Sequence, residues 1–307
     1  MSLAIKAGRR TVEISRPDKV LFPPDIDKAD LANYYEAVSG AMLPHLAGRP
    51  LNYERFPDGI DGQRIFQQHA SSHFPDWIRR VSVPARNGTV EHVVAADAAA
   101  LVYLAGQACI TLHRWLSRSD SLDRPDVFVV DLDPSVHEPA EVRRAALTFG
   151  ALLRELGLHP WAMTTGSRGY HVVVPLQRRV DYDGVRAFAR DLAKLAAARE
   201  PETFTNEQRK AKREHKILID MQRNAYAHTA VAPYSVRPRP HAPVATPLHW
   251  EELEDASTVA DRWTVSSMAK RLERDGDPWH DIAKHAQTLT TARKRLAELA
   301  AEAGVSL

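Results

Sequence analysis

The chain has 307 residues, 44% of them hydrophobic, enough to build one large domain or two ordinary ones around a substantial core. No apolar run approaches the roughly 20 residues of a membrane span, the N-terminus lacks the apolar stretch of a secretory signal, and the single cysteine, Cys109, excludes an internal disulfide and a Cys-rich zinc site. The formal net charge is only +2, so a phosphate-binding surface needs positive charge gathered locally, as in residues 209–216 (RKAKREHK), a kind of run that is ordinarily a solvated face. Lone-cysteine usage points to a reducing, cytoplasmic compartment, with Cys109 as a small buried hydrophobe. Residues 1–10 are expected to be a flexible lead and 11–307 a single domain, opening with an extended stretch over 11–23. Residues 28–38 form an amphipathic pattern capped by Asp27, residues 50–70 mix strand and turn around Phe56-Pro57-Asp58-Gly59, and 95–105 read as a helix. A strand follows at 127–133, then an amphipathic helix at 138–156 closed by Gly157. Strands at 161–165 and 170–174 flank a Gly-Ser-Arg-Gly turn. A helix over 185–198, a short strand over 216–220, an edge strand over 230–234 and a helix over 291–303 complete the chain. Strands and helices intermingle throughout, which predicts a mixed α/β or α+β fold.

The most informative stretch is Val127-Phe128-Val129-Val130-Asp131-Leu132-Asp133-Pro134. Side chains alternate across a strand, so Asp131 and Asp133 leave the same face while Leu132 points back. Two carboxylates converging at a strand end repel each other unless a cation lies between them, which is what a divalent-metal site for nucleotidyl transfer needs. Asp220, at the end of Ile217-Leu218-Ile219, is a candidate third acid. Thr164-Thr165-Gly166-Ser167-Arg168-Gly169-Tyr170-His171 gathers hydroxyls, a guanidinium and an imidazole around a glycine turn, a plausible cradle for a triphosphate that is neither a Walker A loop nor a nucleophile elbow. Arg223-Asn224 and the stretch Ser235-Val236-Arg237-Pro238-Arg239-Pro240 add arginines suited to phosphate oxygens. Each motif alone also has an ordinary explanation: an Asp-Pro turn, a decorated hairpin, a surface loop.

Taken in order, DLDP, TTGSRGYHVVVPL, EQRKAKREHKILIDMQRN and TAVAPYSVRPRPHAPVATPLHWEEL resemble the polymerase domain of bacterial ligase D, within the archaeo-eukaryotic primase superfamily. RPDKVLFP, RPLNYERFPDGIDGQRIFQQHA and ITLHRWLSR resemble its N-terminal elements, so the resemblance runs from about residue 11 to about residue 300. It implies an α+β primase-polymerase fold with a mixed, largely antiparallel sheet flanked by helices. It also implies a template-dependent nucleotidyltransferase that fills short gaps and extends ends in DNA repair, by non-homologous end joining or excision repair, favouring ribonucleotides. Alternatives are a non-catalytic DNA-end or gap-binding module that recruits repair proteins, and a primase that starts strands de novo.

Carried over by position, the resemblance makes Asp131, Asp133 and Asp220 the catalytic and metal-binding acids for two Mn2+ or Mg2+ ions. Thr165, Ser167, Arg168, Gly169, His171, Arg223, Arg237, Arg239 and His113 become contacts to an NTP or dNTP. Arg16, Lys19 and Lys28 become the grip on a 5′-phosphate, and Phe66 a stacking platform for the template. The implied partners are gapped or broken duplex DNA bearing that phosphate, a separate ATP-dependent DNA ligase and Ku. The protein is expected to be a cytoplasmic, nucleoid-associated monomer without a membrane segment, in stand-alone form or as a piece of a longer protein. Departures from the family pattern are Thr165 for Ser, Arg168 for Lys, Arg16 for Asn, Ile65 for one of two adjacent Phe residues, Gln68 without its basic neighbour, His215 for Gly, and an acid at Glu54.

Overall fold

The computed structural model describes residues 2–85, 88–135 and 138–307. In chain order the elements are β1 (Ser2–Ala7), β2 (Arg10–Ser15), β3 (Val20–Phe22), β4 (Ile26–Asp27), α1 (Lys28–Ala37), α2 (Ser39–Leu46), β5 (Leu51–Arg55), β6 (Ile65–Gln67), β7 (Arg80–Ala85), β8 (Gly88–Val93), α3 (Ala98–Gly106) and β9 (Cys109–Trp115). They continue with β10 (Val127–Pro134), α4 (Pro139–Glu155), β11 (Trp161–Thr164), β12 (Tyr170–Pro175), α5 (Tyr182–Arg199), β13 (Phe204–Thr205), β14 (Ile217–Asp220), β15 (Thr229–Val231), β16 (Pro247–Leu248), α6 (Val265–Asp275) and α7 (Thr290–Glu302).

Two compact units emerge. The first gathers Met1–Leu122, Thr229–Thr246 and Asp261–His280, and the second Asp123–His228, Pro247–Ala260 and Asp281–Leu307. In the first, β1 and β2 form an antiparallel hairpin whose Ile5, Ala7, Val12 and Ile14 alternate inward toward α3. The first ten residues, expected to be a flexible lead, thus contribute a strand, because that alternation has an apolar helix to bury against. The principal sheet of this unit has the order β15-β9-β5-β8-β7, with β6 also paired to β5, and β15 is an edge strand. Helix α1 begins where Asp27 accepts from the Asp30 amide while the Asp30 carboxylate accepts from the Asp27 amide, a reciprocal cap.

The second unit holds a six-stranded sheet of order β13-β14-β10-β12-β11-β16. Every described pairing within it is antiparallel except β13 with β14. The expected single sheet is therefore two principal sheets, one per unit, and its largely antiparallel character holds in both. Strand β10 lies inside its sheet, which accounts for its unbroken apolar run. Phe128, Val130 and Leu132 are fully buried, and Phe128 meets Phe188 of α5 edge to face. Each such side chain contributes roughly 1.5–3 kcal/mol by burial. Helices α4 and α5 cover that face. Asp131 and Asp133 leave by the other.

Candidate active site

The second unit builds a polar row across three strands. In the β10–β14 register Asp131 lies directly opposite Asp220, and in the β10–β12 register Asp131 lies opposite His171. Directly paired residues share a face with Cβ atoms about 4.5–5.5 Å apart. Asp220, Asp131 and His171 therefore line up side by side, with Asp133 two residues along on the same face. Leu132, between the two acids, is completely buried on the opposite face.

The contacts explain the charge states. His171 Nε2 lies 3.4 Å from Asp131 Oδ1, and Arg223 Nε donates to Asp131 Oδ2 at 3.0 Å while standing 3.9 Å from Asp220 Oδ2. Burial opposes ionisation of Asp131, but His171 and Arg223 outweigh it and hold the carboxyl well below the usual carboxylate range. Asp220 is shifted the other way. Burial raises it first, the Gln222 amide donating to Oδ1 at 2.9 Å lowers it, and the charge of Asp131 raises it again. This unequal pair of acids is the mark of crowded negative charge that an additional cation would relieve. Among the described residues no three His, Cys, Asp or Glu side chains converge as a ready metal cage, since arginines hold the acids. The donor chemistry fits hard divalent cations, because Asp131, Asp133 and Asp220 offer only carboxylate oxygens on one face.

Arg223 is placed by its neighbour. Residues 222–224 form one tight turn after β14, and buried Asn224 clips that turn to β10 by accepting from the Val129 amide at 2.9 Å and donating to the Val129 carbonyl at 2.7 Å. Asn224 thus completes the edge of β10 where β14 has not yet begun to pair. Arg213 was hidden in what read as a solvated charge run. It is 8% exposed, with Nη1 3.2 Å from Asp133 Oδ2, and its other nitrogens donate to the carbonyls of Glu207 and Gln208. A run of like charges carries no signal for which member turns inward, so only the fold reveals it.

The glycine turn between β11 and β12 sits beside the acids. Thr165 Oγ1 and the Thr165 amide both donate to the Gly169 carbonyl at 3.0 Å, and Gly166 takes a positive φ of 63°. A Cβ on Gly169 would lie 2.2 Å from the carbonyl oxygen of Leu132, the residue between the two acids. Gly169 is therefore required by close approach of backbone to backbone. Arg168 Nη2 is 3.8 Å from Asp133 Oδ1, and Ser167 and Arg168 are half-buried at the rim.

The remaining candidates lie in the first unit. His113 on β9 has Nε2 2.7 Å from Glu54 Oε1, and Arg64 Nε is 2.9 Å from Glu54 Oε2. Burial pushes the Glu54 carboxyl up, but the His113 hydrogen bond and the charges of His113, Arg64 and Arg237 bring it below its usual value. Phe66 is 46% exposed, with Arg64 over its ring and the His113 ring tilted against it, centroids 6.0 Å apart. Arg237 follows a segment fastened to β9, where Thr111 Oγ1 donates to the Val236 carbonyl and the Leu112 amide to Ser235 Oγ. Its amide donates to the Pro243 carbonyl, and Arg239 is exposed two residues on. Lys28 is 4% exposed and donates to the Ser15 carbonyl at 2.7 Å, while Lys19 Nζ meets Asp58 Oδ1 at 2.7 Å. Burial and then the charges of Arg16 and Lys19 hold the Lys28 amine below its usual value, so the three cations crowd one place. Cys109 is buried, as its apolar surroundings predict. Among the described residues no helix is long and apolar enough to cross a membrane.

Comparison with known proteins places the chain. A family model described as the LigD primase-polymerase domain matches residues 27–279. The chain is 34% identical over 299 residues to the multifunctional non-homologous end joining protein LigD of Pseudomonas aeruginosa, covering 95% of this chain and 35% of that protein. It is 32% identical over 284 residues to LigD of Mycobacterium tuberculosis strain H37Rv, covering 88% of this chain and 37% of that protein. The bifunctional LigD of Bacillus subtilis is 28% identical over 273 residues, 88% of this chain and 44% of that protein. The chain thus spans between 35% and 44% of the length of these curated relatives. Among solved structures, the polymerase domain of Mycobacterium tuberculosis ligase D in complex with DNA superposes with a TM-score of 0.83 at 30% identity, covering 90% of this chain and 99% of that one. With the family's motif-bearing elements placed in both units and the matched region spanning most of the chain, the protein belongs to the LigD primase-polymerase domain family, a family of DNA-directed nucleotidyltransferases.

Proposed function

We propose that this protein fills short gaps and extends DNA ends during double-strand-break repair, joining a nucleoside triphosphate to a primer 3′-hydroxyl. The observation that carries the reading is the row Asp220–Asp131–His171, with Asp133 on the same face and Arg223 between two of the acids. Asp131, Asp133 and Asp220 hold two divalent ions, Mn2+ or Mg2+. Such ions, when bound, supply the positive charge that nucleotidyl transfer needs at the attacking and leaving oxygens. The rest of the work falls to side chains. Arg223 and His171 meet the triphosphate from the sheet, and Thr165, Ser167, Arg168 and Gly169 receive it at the turn, where fixed donors stabilise phosphate charge without reorganising. His113, Arg237 and Arg239 are further nucleotide contacts by the same correspondence. Arg16, Lys19 and Lys28 take a downstream 5′-phosphate, a reading supported by the depressed Lys28 amine, since an anion would relieve the crowding of three cations. Phe66 is exposed enough to stack on a template base.

Glu54 holds His113 and Arg64 in this chain, and with Ile65 in place of a second aromatic residue the template contact is reshaped rather than absent. Ribonucleotides are the favoured substrate. A separate ATP-dependent ligase and Ku are the working partners of a nucleoid-associated monomer. The test is incorporation of labelled UTP or dTTP into a gapped duplex, with Mn2+ or Mg2+, with and without a 5′-phosphate at the gap. The wild type extends the primer and prefers the phosphorylated gap. Asp133→Ala abolishes extension while leaving the fold intact, and Lys19→Ala with Lys28→Ala removes the phosphate preference. Binding without extension by the wild type would replace this reading with a non-catalytic end-binding module, and extension without primer would make it a primase.

A further inference from the structure

A second concave site lies on the reverse face of the catalytic sheet, within the second unit. It has a volume of about 630 Å3, is open on one side to solvent and is bounded by α5, by β14, by residues 206–208 and by the turn that follows β14. Its position follows from strand alternation. Asp220 leaves β14 on the face of the acid row, so Ile219 leaves on the opposite face, and together with Met221 in the turn just past the strand it floors this pocket, both nearly fully buried.

The wall is α5, which lines the pocket with Arg186 and Arg190, both exposed, and half-buried Lys194. They stand at i, i+4 and i+8, so they form a single stripe with roughly 6 Å of axial rise between successive cations. Ala187 and Ala193 leave room between the stripe and the floor. Asp191 aligns two of the cations, with Oδ1 3.6 Å from Arg190 Nε and 3.9 Å from Lys194 Nζ, and Lys194 also donates to the Ser306 carbonyl at 3.3 Å. Asp183 is the one acid among the lining residues, against three cations. Asn206, Gln208 and Gln222 line the same space, and Asn206 Nδ2 donates to the Ala193 carbonyl of α5 at 3.2 Å.

We propose that this pocket binds a nucleoside phosphate, distinct from the substrate at the acid row. Its chemistry matches such a ligand part for part. Guanidinium groups take phosphate oxygens through charge-assisted bonds. The apolar floor of Ile219 and Met221 takes the flat face of a base, and amides, each both donor and acceptor, match the mixed edge of a purine or pyrimidine. The volume lies in the range of small-ligand sites, which are concave, largely apolar and set with a few convergent polar groups. A concave site of this size favours a mononucleotide over a passing strand.

The test uses the full chain in EDTA, which weakens metal-dependent binding at the acid row. The probes are a photoactivatable azidoadenine analogue of ADP and a fluorescent ADP. Crosslinked peptides mapped by mass spectrometry should come from residues 183–194 and 206–222. Arg186→Glu with Arg190→Glu should lower labelling there and weaken the fluorescent probe by about tenfold or more, the loss expected when a charge-assisted contact is removed and reversed. Ala187→Trp should do the same by filling the space without changing charge. Both variants should retain the wild-type rate of gap filling in the absence of ADP. Labelling confined to peptides carrying residues 131–133 or 165–171, affinity unchanged in both variants, or displacement of the label by oligothymidylate but not by ADP would overturn the proposal. Because labelling is read without turnover, its failure is separate from any failure of the polymerase reading.

Discussion

Gly169→Ala tests how the glycine turn and the acid strand are joined. The added Cβ would sit 2.2 Å from the Leu132 carbonyl oxygen, where side chains essentially never come closer than 3.0 Å, so one backbone must retreat by about 0.8 Å. Neither can do so freely. Leu132 is pinned on both sides by pairing of β10 with β12 and β14, and Gly169 closes a turn whose amide and hydroxyl bonds run to Thr165. Overpacking of this kind costs about 1–3 kcal/mol. On the proposed role of the turn the functional cost is larger, because a displacement near 1 Å between a substrate-positioning group and the reacting groups is worth on the order of 100-fold in rate. The assay pairs thermal melting by circular dichroism with single-turnover incorporation on a gapped duplex. The expected result is a modest drop in melting temperature and a rate loss of about 100-fold at saturating nucleotide. A variant with wild-type melting and wild-type rate would refute both the close approach and its role.

Asn224→Ala leaves the Val129 amide and carbonyl without their side-chain partners, so chemical denaturation should show a loss of about 2–4 kcal/mol together with reduced incorporation as Arg223 loosens. Arg213→Lys cannot reproduce the fork that spans Asp133 and two carbonyls, and it should lower both stability and incorporation, read by denaturation and by the gapped-duplex assay; an unchanged variant would make Arg213 a bystander. His45, buried beside Asp277 at 3.0 Å, titrates in the folded state below its usual 6.5, because burial disfavours the imidazolium more than Asp277 favours it. Between those two values the unfolded chain binds the extra proton, so stability is lost as pH falls below about 6.5, by about 1.4 kcal/mol per unit of separation. Melting curves from pH 7.5 to pH 5 should show this slope, and His45→Gln should flatten it.

The elements most legible in the sequence were those whose pattern is local. The cap at Asp27, the stop at Gly157 and the hairpin around Gly166 each arise from a few neighbouring residues, and each stands where the pattern placed it. The same holds for the shared face of Asp131 and Asp133, which period-two alternation dictates for any strand. Less legible were β9 and the β7–β8 hairpin, whose mixed polar and apolar residues depend on which neighbours pair with them. Helices α2 and α6 were also missed, the former short and carrying Pro44, the latter mostly polar.

Sequence alone determined that two acids share a strand face, that a glycine turn joins two strands with hydroxyls, a guanidinium and an imidazole around it, and that the long ordered motifs belong to a nucleotidyltransferase family. Only the tertiary structure decided that Asp220 stands opposite Asp131, that Arg213 leaves its charged run to reach Asp133, and that Ile219 and Met221 floor a second pocket behind Asp220. The division has one physical cause. Alternation and turn chemistry are set by bonds between neighbouring residues, whereas register and burial depend on segments about ninety positions apart, whose meeting is fixed by the packing of the whole sheet.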